Sequence, residues 1–149
     1  MTDIDKVTIL TPKIAVTGFM TPKCLRIIKT MGFASVINMM PQAPSVLEDI
    51  PEKNLANRVR SFGLEYRKLS VNSVFDIDAD LIERFQDTVE EIPKPAVIFS
   101  RTGRRAVTLW ALAMQNSLTC DELAAKARRA GHDISQIITD EEPSGSRAA

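Results

Sequence analysis

Three arginines and a glycine lie within six residues, Ser-Arg-Thr-Gly-Arg-Arg at positions 100–105. Glycine permits a tight turn, in which successive backbone N–H groups converge and bind an anion. A helix that begins there adds the positive end of its dipole, and an arginine can clamp two oxygens of a tetrahedral anion. The pattern therefore predicts a phosphate- or sulfate-binding segment, the 100–105 loop, formed by Ser100, Arg101, Thr102, Gly103, Arg104 and Arg105. The alternative is a basic turn whose arginines are simply solvated.

The elements that must position this loop alternate between strands and helices. Apolar and β-branched runs predict strands at 6–10, 14–17, 34–39, 65–71 and 96–99. Helical periodicity with caps predicts helices at 21–32, 52–62, 78–92, after 105, and at 121–130, with a last turn near 134–138. This order indicates an α/β fold with a mostly parallel central sheet and helices on both faces. Ligands of such folds bind beyond the carboxyl ends of the strands, where the 100–105 loop begins.

Composition excludes several functional classes. The chain has 149 residues and 19 residues of each charge sign, so its net charge of zero argues against nucleic acid or an anionic membrane as partner. Two cysteines and one histidine disfavour a disulfide framework, a metal site or a cofactor site. The acidic start without a signal-peptide pattern and the lack of a long apolar run predict a cytoplasmic protein. We expect one domain at 1–140, with a polar, frayed tail at 141–149.

Three segments resemble one known family. VTGFMTPKCLRIIKTMGFASVINMMP, GLEYRKLSV and, most specifically, PAVIFSRTGRRAVTLWAL are similar to the phosphatase-like domain of beta-lactamase-hydrolase-like proteins. These small bacterial proteins are related to dual-specificity phosphatases and also carry a sulfurtransferase label. The resemblance implies a cysteine-phosphatase-like fold, a substrate with a phosphate-like or sulfate-like group such as a phosphorylated molecule, and Arg105 as the arginine that clamps the anion.

Two departures from the family pattern bear on catalysis. The nucleophilic cysteine of the family falls on Ser100, and an arginine of the family falls on Met40. A thiolate attacks phosphorus readily, whereas a serine hydroxyl has a much higher pKa and needs an adjacent general base. His132 follows a helix end and is interpreted as a surface or capping residue rather than that base. The cysteines do not replace the missing thiol, because Cys24 fits a buried helix face and Cys120 fits a helix cap.

Family chemistry also requires a general acid that protonates the leaving oxygen. Asp76 is the candidate, since the nearby Asp78 fits an N-cap of the following helix. Thr102 is a candidate either for hydrogen bonding at the site or for capping the helix after the loop. Four residues separate Ser100 from Arg105, as in the short loop of rhodanese sulfurtransferases, whereas tyrosine phosphatases have five.

The leading hypothesis is a phosphatase-like pseudoenzyme that binds an anion through the 100–105 loop and is catalytically impaired or inactive. Its serine is either natural or an engineered replacement of cysteine. The rival hypotheses are an active phosphomonoester hydrolase that uses Ser100, an enzyme related to sulfurtransferases, and an interaction module without a ligand.

Overall fold

The computed structural model describes residues 7–18, 20–40 and 52–137 of the chain. Within these residues one five-stranded sheet has the order β1-β2-β5-β3-β4. Its strands are β1 (Val7–Thr11), β2 (Ile14–Gly18), β3 (Ser35–Asn38), β4 (Glu65–Lys68) and β5 (Ala96–Ser100). β1 and β2 form an antiparallel hairpin, and all other neighbouring strands are parallel. Only β1 of this hairpin is an edge strand, because β2 also pairs with β5.

Helices cover both faces of the sheet, as predicted. Residues of α1 (Pro22–Thr30) and α2 (Glu52–Ser61) pack in the core on one face. Residues of α3 (Ala79–Glu91), α4 (Arg104–Ala113) and α5 (Cys120–Arg129) pack in the core on the other face. The α/β fold class is therefore confirmed. No helix among the described residues is long and apolar enough to cross a membrane.

The central strand β5 explains where the 100–105 loop lies. Val97 and Phe99 belong to the core on the face of α1, whereas Ala96 and Ile98 belong to the core on the face of α4. A strand that is buried on both faces needs a continuous apolar run rather than an alternating one. β5 therefore ends at Ser100, at the carboxyl edge of the sheet and between β2 and β3.

Polar caps fix the starts of three helices where the sequence predicts them. The Thr21 side chain accepts a hydrogen bond from the Cys24 backbone at 3.1 Å. The Asp78 carboxylate accepts one from the Leu81 backbone at 2.9 Å. Thr119 and Glu122 form a reciprocal capping box at α5. Each cap satisfies a first-turn N–H group that has no partner inside its helix.

The sequence also predicts a last turn after α5, a loop at 41–51 and a tail at 141–149. The predicted last short helical turn is found in part: the Ile137 N–H donates to the Ile134 carbonyl at 2.9 Å in a single turn that is not part of a longer helix, and Ile134 is buried. Ile138 lies outside the described residues. The predicted loop at 41–51 and the predicted tail at 141–149 lie outside the described residues, so the domain limits of 1–140 stay a prediction.

Candidate anion-binding site

The 100–105 loop joins the end of β5 directly to the start of α4. Gly103 is the residue immediately before α4 and has a φ angle of 92°. This left-handed backbone is strained for residues with a side chain and accessible to glycine. Gly103 therefore allows the chain to turn from the strand into the helix within the loop, as the sequence predicts.

Ser100 lies at the base of the loop and is fully buried. Its Oγ accepts a hydrogen bond from the Ala106 backbone N–H at 3.3 Å, so the hydroxyl caps the first turn of α4. Among the described residues, no imidazole and no carboxylate contacts this hydroxyl. The Ser100 hydroxyl therefore has no basic neighbour among the described residues that would remove its proton.

Three backbone N–H groups of the loop have no partner within the described chain. The amides of Thr102, Gly103 and Arg105 donate no hydrogen bond to a described residue, whereas the Arg104 amide donates to the Thr102 Oγ1 at 3.3 Å. A group of free backbone donors at the start of a helix is typical of anion-binding turns. The loop therefore has the donors that a tetrahedral anion requires.

Arg105 is partly buried beside this turn. Its Nη1 donates to the Asn72 backbone carbonyl at 3.2 Å, and no carboxylate of the described residues pairs with it. Burial lowers the pKa of Arg105, and the nearby positive charge of Arg101 lowers it further. A bound anion would offset both the desolvation and the repulsion of this guanidinium group.

The other predicted loop side chains have different surroundings. Arg101 is exposed and contributes its positive charge near Arg105. Arg104 is turned away toward the segment that follows α5, where its Nη1 donates to the Asp133 carbonyl at 3.1 Å. Thr102 is exposed, and its hydroxyl accepts from the Arg104 amide, which supports the capping role considered for it. The three arginines therefore do not form one cluster around a single point.

The two candidate carboxylates near the loop separate into different roles. Asp78 is occupied as the cap of α3. Asp76 ends a short 3-10 helix (Val74–Asp76) that packs against α4, and its side chain is exposed. The segment carrying Asp76 is also tied to the loop through the bond between Arg105 and Asn72. Asp76 is thus the carboxylate that remains available near the start of α4.

Two residues that sequence reasoning missed support the loop from its other side. Gly18 pairs with Ser100 in the sheet, and an added Cβ would lie 3.0 Å from the backbone carbon and oxygen of Thr102. His132 caps α5, as one of its two interpretations has it, because its backbone N–H donates to the Ala127 carbonyl at 3.0 Å. Sequence reasoning missed that its partly buried ring also reaches the loop, where Nε2 lies 3.1 Å from the Thr102 carbonyl oxygen. A glycine at a strand end is a signal of close approach, but no sequence signal places His132 here.

Gly18→Ala is expected to displace the loop. The new methyl group would clash with backbone that cannot move independently, so we expect a loss of ~1–3 kcal/mol in the free energy of unfolding. Gly32→Ala is the matched control, because it adds strain at a φ of 93° with no neighbouring atom within 4 Å of the new Cβ. Thermal denaturation should show both variants destabilised, whereas calorimetric titration with tungstate should show weaker binding for Gly18→Ala alone. Unchanged binding by Gly18→Ala would contradict the loop's dependence on this contact.

A cavity of about 360 Å³ borders the outer side of the loop. Arg101, Thr102 and Gly103 of the loop line it together with residues that include Thr8 and His132, but Ser100 and Arg105 do not. The cavity lies on the side of β1 and β2, whereas Arg105 contacts Asn72 on the opposite side of the loop. The unpartnered donors, rather than the cavity volume, therefore define the candidate site.

Comparison with protein families gives one match. Residues 6–117 match the model of the beta-lactamase hydrolase-like protein, phosphatase-like domain. This span contains every residue of the 100–105 loop and Asp76, but not His132. No protein with a curated description matches the chain significantly.

Solved structures share the fold at low sequence identity. A candidate phosphatase from Neisseria meningitidis has a TM-score of 0.77 and 19% identity over 91% of this chain and 94% of that chain. The core catalytic domain of a PP-IP phosphatase from S. cerevisiae, in complex with citrate, has a TM-score of 0.63 and 15% identity over 83% of this chain and 74% of that chain. A kinase-associated phosphatase with its catalytic-site cysteine substituted by serine has a TM-score of 0.59 and 10% identity over 78% of this chain and 74% of that chain.

Proposed function

The chain belongs to the phosphatase-like domain family of beta-lactamase hydrolase-like proteins, and from this premise we propose that its 100–105 loop binds a phosphate-like or sulfate-like anion. The observation that carries the proposal is that the N–H groups of Thr102, Gly103 and Arg105 have no hydrogen-bond partner among the described residues. The Arg105 guanidinium, which has no carboxylate partner among the described residues, supplies further donors and a positive charge beside them. The ligand we infer is a single small anion or the phosphate group of a phosphorylated molecule.

The second part of the proposal is that Ser100 occupies the position of the family's nucleophilic cysteine and leaves the domain catalytically impaired. Loop amides and a helix dipole lower the pKa of a thiol enough to ionise it near neutral pH. A serine hydroxyl starts from a much higher pKa and needs a general base within hydrogen-bond distance. The buried Ser100 hydroxyl accepts a bond from Ala106 and has no such base among the described residues.

The same contacts weigh against the rival hypotheses. Persulfide transfer needs a thiol, and Cys24 is a buried residue of α1 while Cys120 is the first residue of α5, outside the 100–105 loop. An interaction module without a ligand gives no reason for a partly buried arginine beside loop amides that have no partner among the described residues. A phosphate-binding domain without a nucleophile is therefore the function that this geometry supports best.

Titration with inorganic phosphate, followed by ¹⁵N–¹H correlation spectra, tests the proposed binding. We expect the amide resonances of Thr102, Gly103 and Arg105 to shift first and to saturate together, because these groups would donate to the anion. Amides lining the cavity on the side of β1, such as Thr8, serve as the internal control. A spectrum in which the loop resonances do not move at saturating phosphate, or move only together with Thr8, would contradict the proposal.

Asp76→Asn tests whether this carboxylate retains the role of general acid. In a Ser100→Cys background, we expect the substitution to lower turnover of an alkyl phosphate ~100-fold, because its leaving oxygen needs a proton. Turnover of p-nitrophenyl phosphate should fall much less, since nitrophenolate leaves without protonation. Equal losses on both substrates, or weaker anion binding as the sole effect, would show that Asp76 is not the acid.

A further inference from the structure

The segment that follows α5 holds the 100–105 loop from outside at two points. The Nε2 of His132 lies 3.1 Å from the Thr102 carbonyl, and the Asp133 carbonyl accepts from the Arg104 guanidinium at 3.1 Å. The His132 backbone N–H is itself bonded to the Ala127 carbonyl at the end of α5. The imidazole therefore acts from a rigid helix end, although about thirty residues separate it from the loop in sequence.

The hydrogen bond between His132 and Thr102 determines which atom donates the proton and where the neighbouring Gly103 N–H points. A carbonyl oxygen only accepts, so the Nε2 of His132 must carry the proton and donate it. The Thr102 carbonyl shares a planar peptide unit with the Gly103 N–H, and in a trans peptide these two groups point in opposite directions. The only cis peptide of the described residues is at Pro95, so the unit between Thr102 and Gly103 is trans. A carbonyl held toward His132 therefore turns the Gly103 N–H away from His132.

We propose that His132 is a positioning residue for the anion loop: by holding the Thr102 carbonyl outward, it aims the Gly103 N–H at the bound anion. The inference rests on the proposed function, since it assigns the Gly103 donor to that same ligand. The ring also lies close to Gly103, because an added Cβ there would be 3.3 Å from the Nε2 of His132.

The protonation state of His132 fits this role. Burial lowers its pKa, the bond to the Thr102 carbonyl raises it, and the charge of Arg104 lowers it again, with a net decrease. The ring is consequently neutral near pH 7, with its single proton on Nε2. The protonated ring keeps the same Nε2–H donor, so the contact with Thr102 is available in either state.

Matched variants separate the hydrogen bond from the packing of the ring. We expect His132→Leu to weaken tungstate binding about five- to tenfold, in line with the loss of one hydrogen bond that orients a donor. His132→Gln retains an N–H donor and is expected to recover most of the affinity. The control is Arg129→Ala, which removes a tether from the same helix end to the Ile9 carbonyl rather than to the loop. Equal affinities of wild type and His132→Leu, or equal losses for Leu and Gln, would overturn the proposal.

An anion-free measurement distinguishes failure of this inference from failure of the proposed function. The residual dipolar coupling of the Gly103 N–H reports its orientation, and we expect it to change in His132→Leu and to be restored in His132→Gln. An unchanged coupling in His132→Leu would overturn the positioning role whether or not the anion binds. If the coupling changes in His132→Leu but the wild type does not bind tungstate, the proposed function is refuted. The Gly103 N–H then has no anion to donate to, and the His132 contact is only structural.

Discussion

Replacing Ser100 by cysteine is expected to raise the hydrolysis of p-nitrophenyl phosphate at least about a hundredfold above wild type. A thiolate at the base of the loop would attack phosphorus, form an S–P bond and release nitrophenolate, and water would then cleave the S–P bond to give phosphate and restore the thiol. The Ala106 N–H that now bonds the Ser100 hydroxyl would instead stabilise the thiolate. The wild type lacks this nucleophile, so its turnover should stay near background.

The control for this gain is Ser100→Ala, which removes the hydroxyl without adding a thiol. Wild type and Ser100→Ala are expected to show the same low turnover, because no described residue acts as a general base for the hydroxyl. The double variant Ser100→Cys with Arg105→Ala should lose most of the gain if the new thiol works within the anion loop. Substantial and equal turnover by wild type and Ser100→Cys would refute the argument that the nucleophile is missing.

Arg105→Ala is expected to weaken binding of phosphate or tungstate ~10–100-fold, the cost of losing hydrogen bonds from a charged donor. The residue is partly buried and repelled by Arg101, and no described carboxylate compensates it, so an anion is the partner that would stabilise its charge. Arg105→Lys keeps the positive charge but cannot make the bidentate contact of a guanidinium, so its affinity should lie between those of the wild type and Arg105→Ala. Isothermal titration calorimetry measures the affinity of the wild type and of both variants.

Arg58→Ala is the matched control for this loss, because it removes the same charge from an exposed position on α2. Its affinity should equal that of the wild type if local geometry rather than overall charge governs binding. A similar decrease in Arg58→Ala and Arg105→Ala would instead indicate a general electrostatic effect, which salt screens readily. Unchanged affinity in Arg105→Ala would remove this arginine from the site.

The sequence predicts the position of the loop because the signals for it are local. The apolar run 96–99 has to be buried on both faces, so it becomes the central strand and delivers Ser100 to the carboxyl edge. Gly103 supplies the positive φ angle that the turn into α4 requires. Both features depend on residues within a few positions of each other, and both are found where the pattern indicates them.

The contacts that shape the loop depend on long-range packing and are missed by pattern reasoning. Gly18 approaches Thr102 because β2 and β5 are neighbours in the sheet, and His132 approaches it because α5 packs beside α4. Arg104 shows the same limit. Its position in the loop suggests anion binding, and no local pattern indicates that the fold also brings the Asp133 carbonyl within hydrogen-bond distance of its guanidinium.

A crystal structure of the wild-type protein with tungstate tests the central claim most directly. The account predicts one tungstate ion within hydrogen-bond distance of the amides of Thr102, Gly103 and Arg105, with the Arg105 guanidinium on the same ion. The Thr102 carbonyl should remain bonded to His132 on the outer side. The claim that this loop is an anion site would be contradicted if, in a crystal saturated with tungstate, the loop binds no ion. It would also be contradicted if the ion lies elsewhere, such as in the cavity beside Thr8.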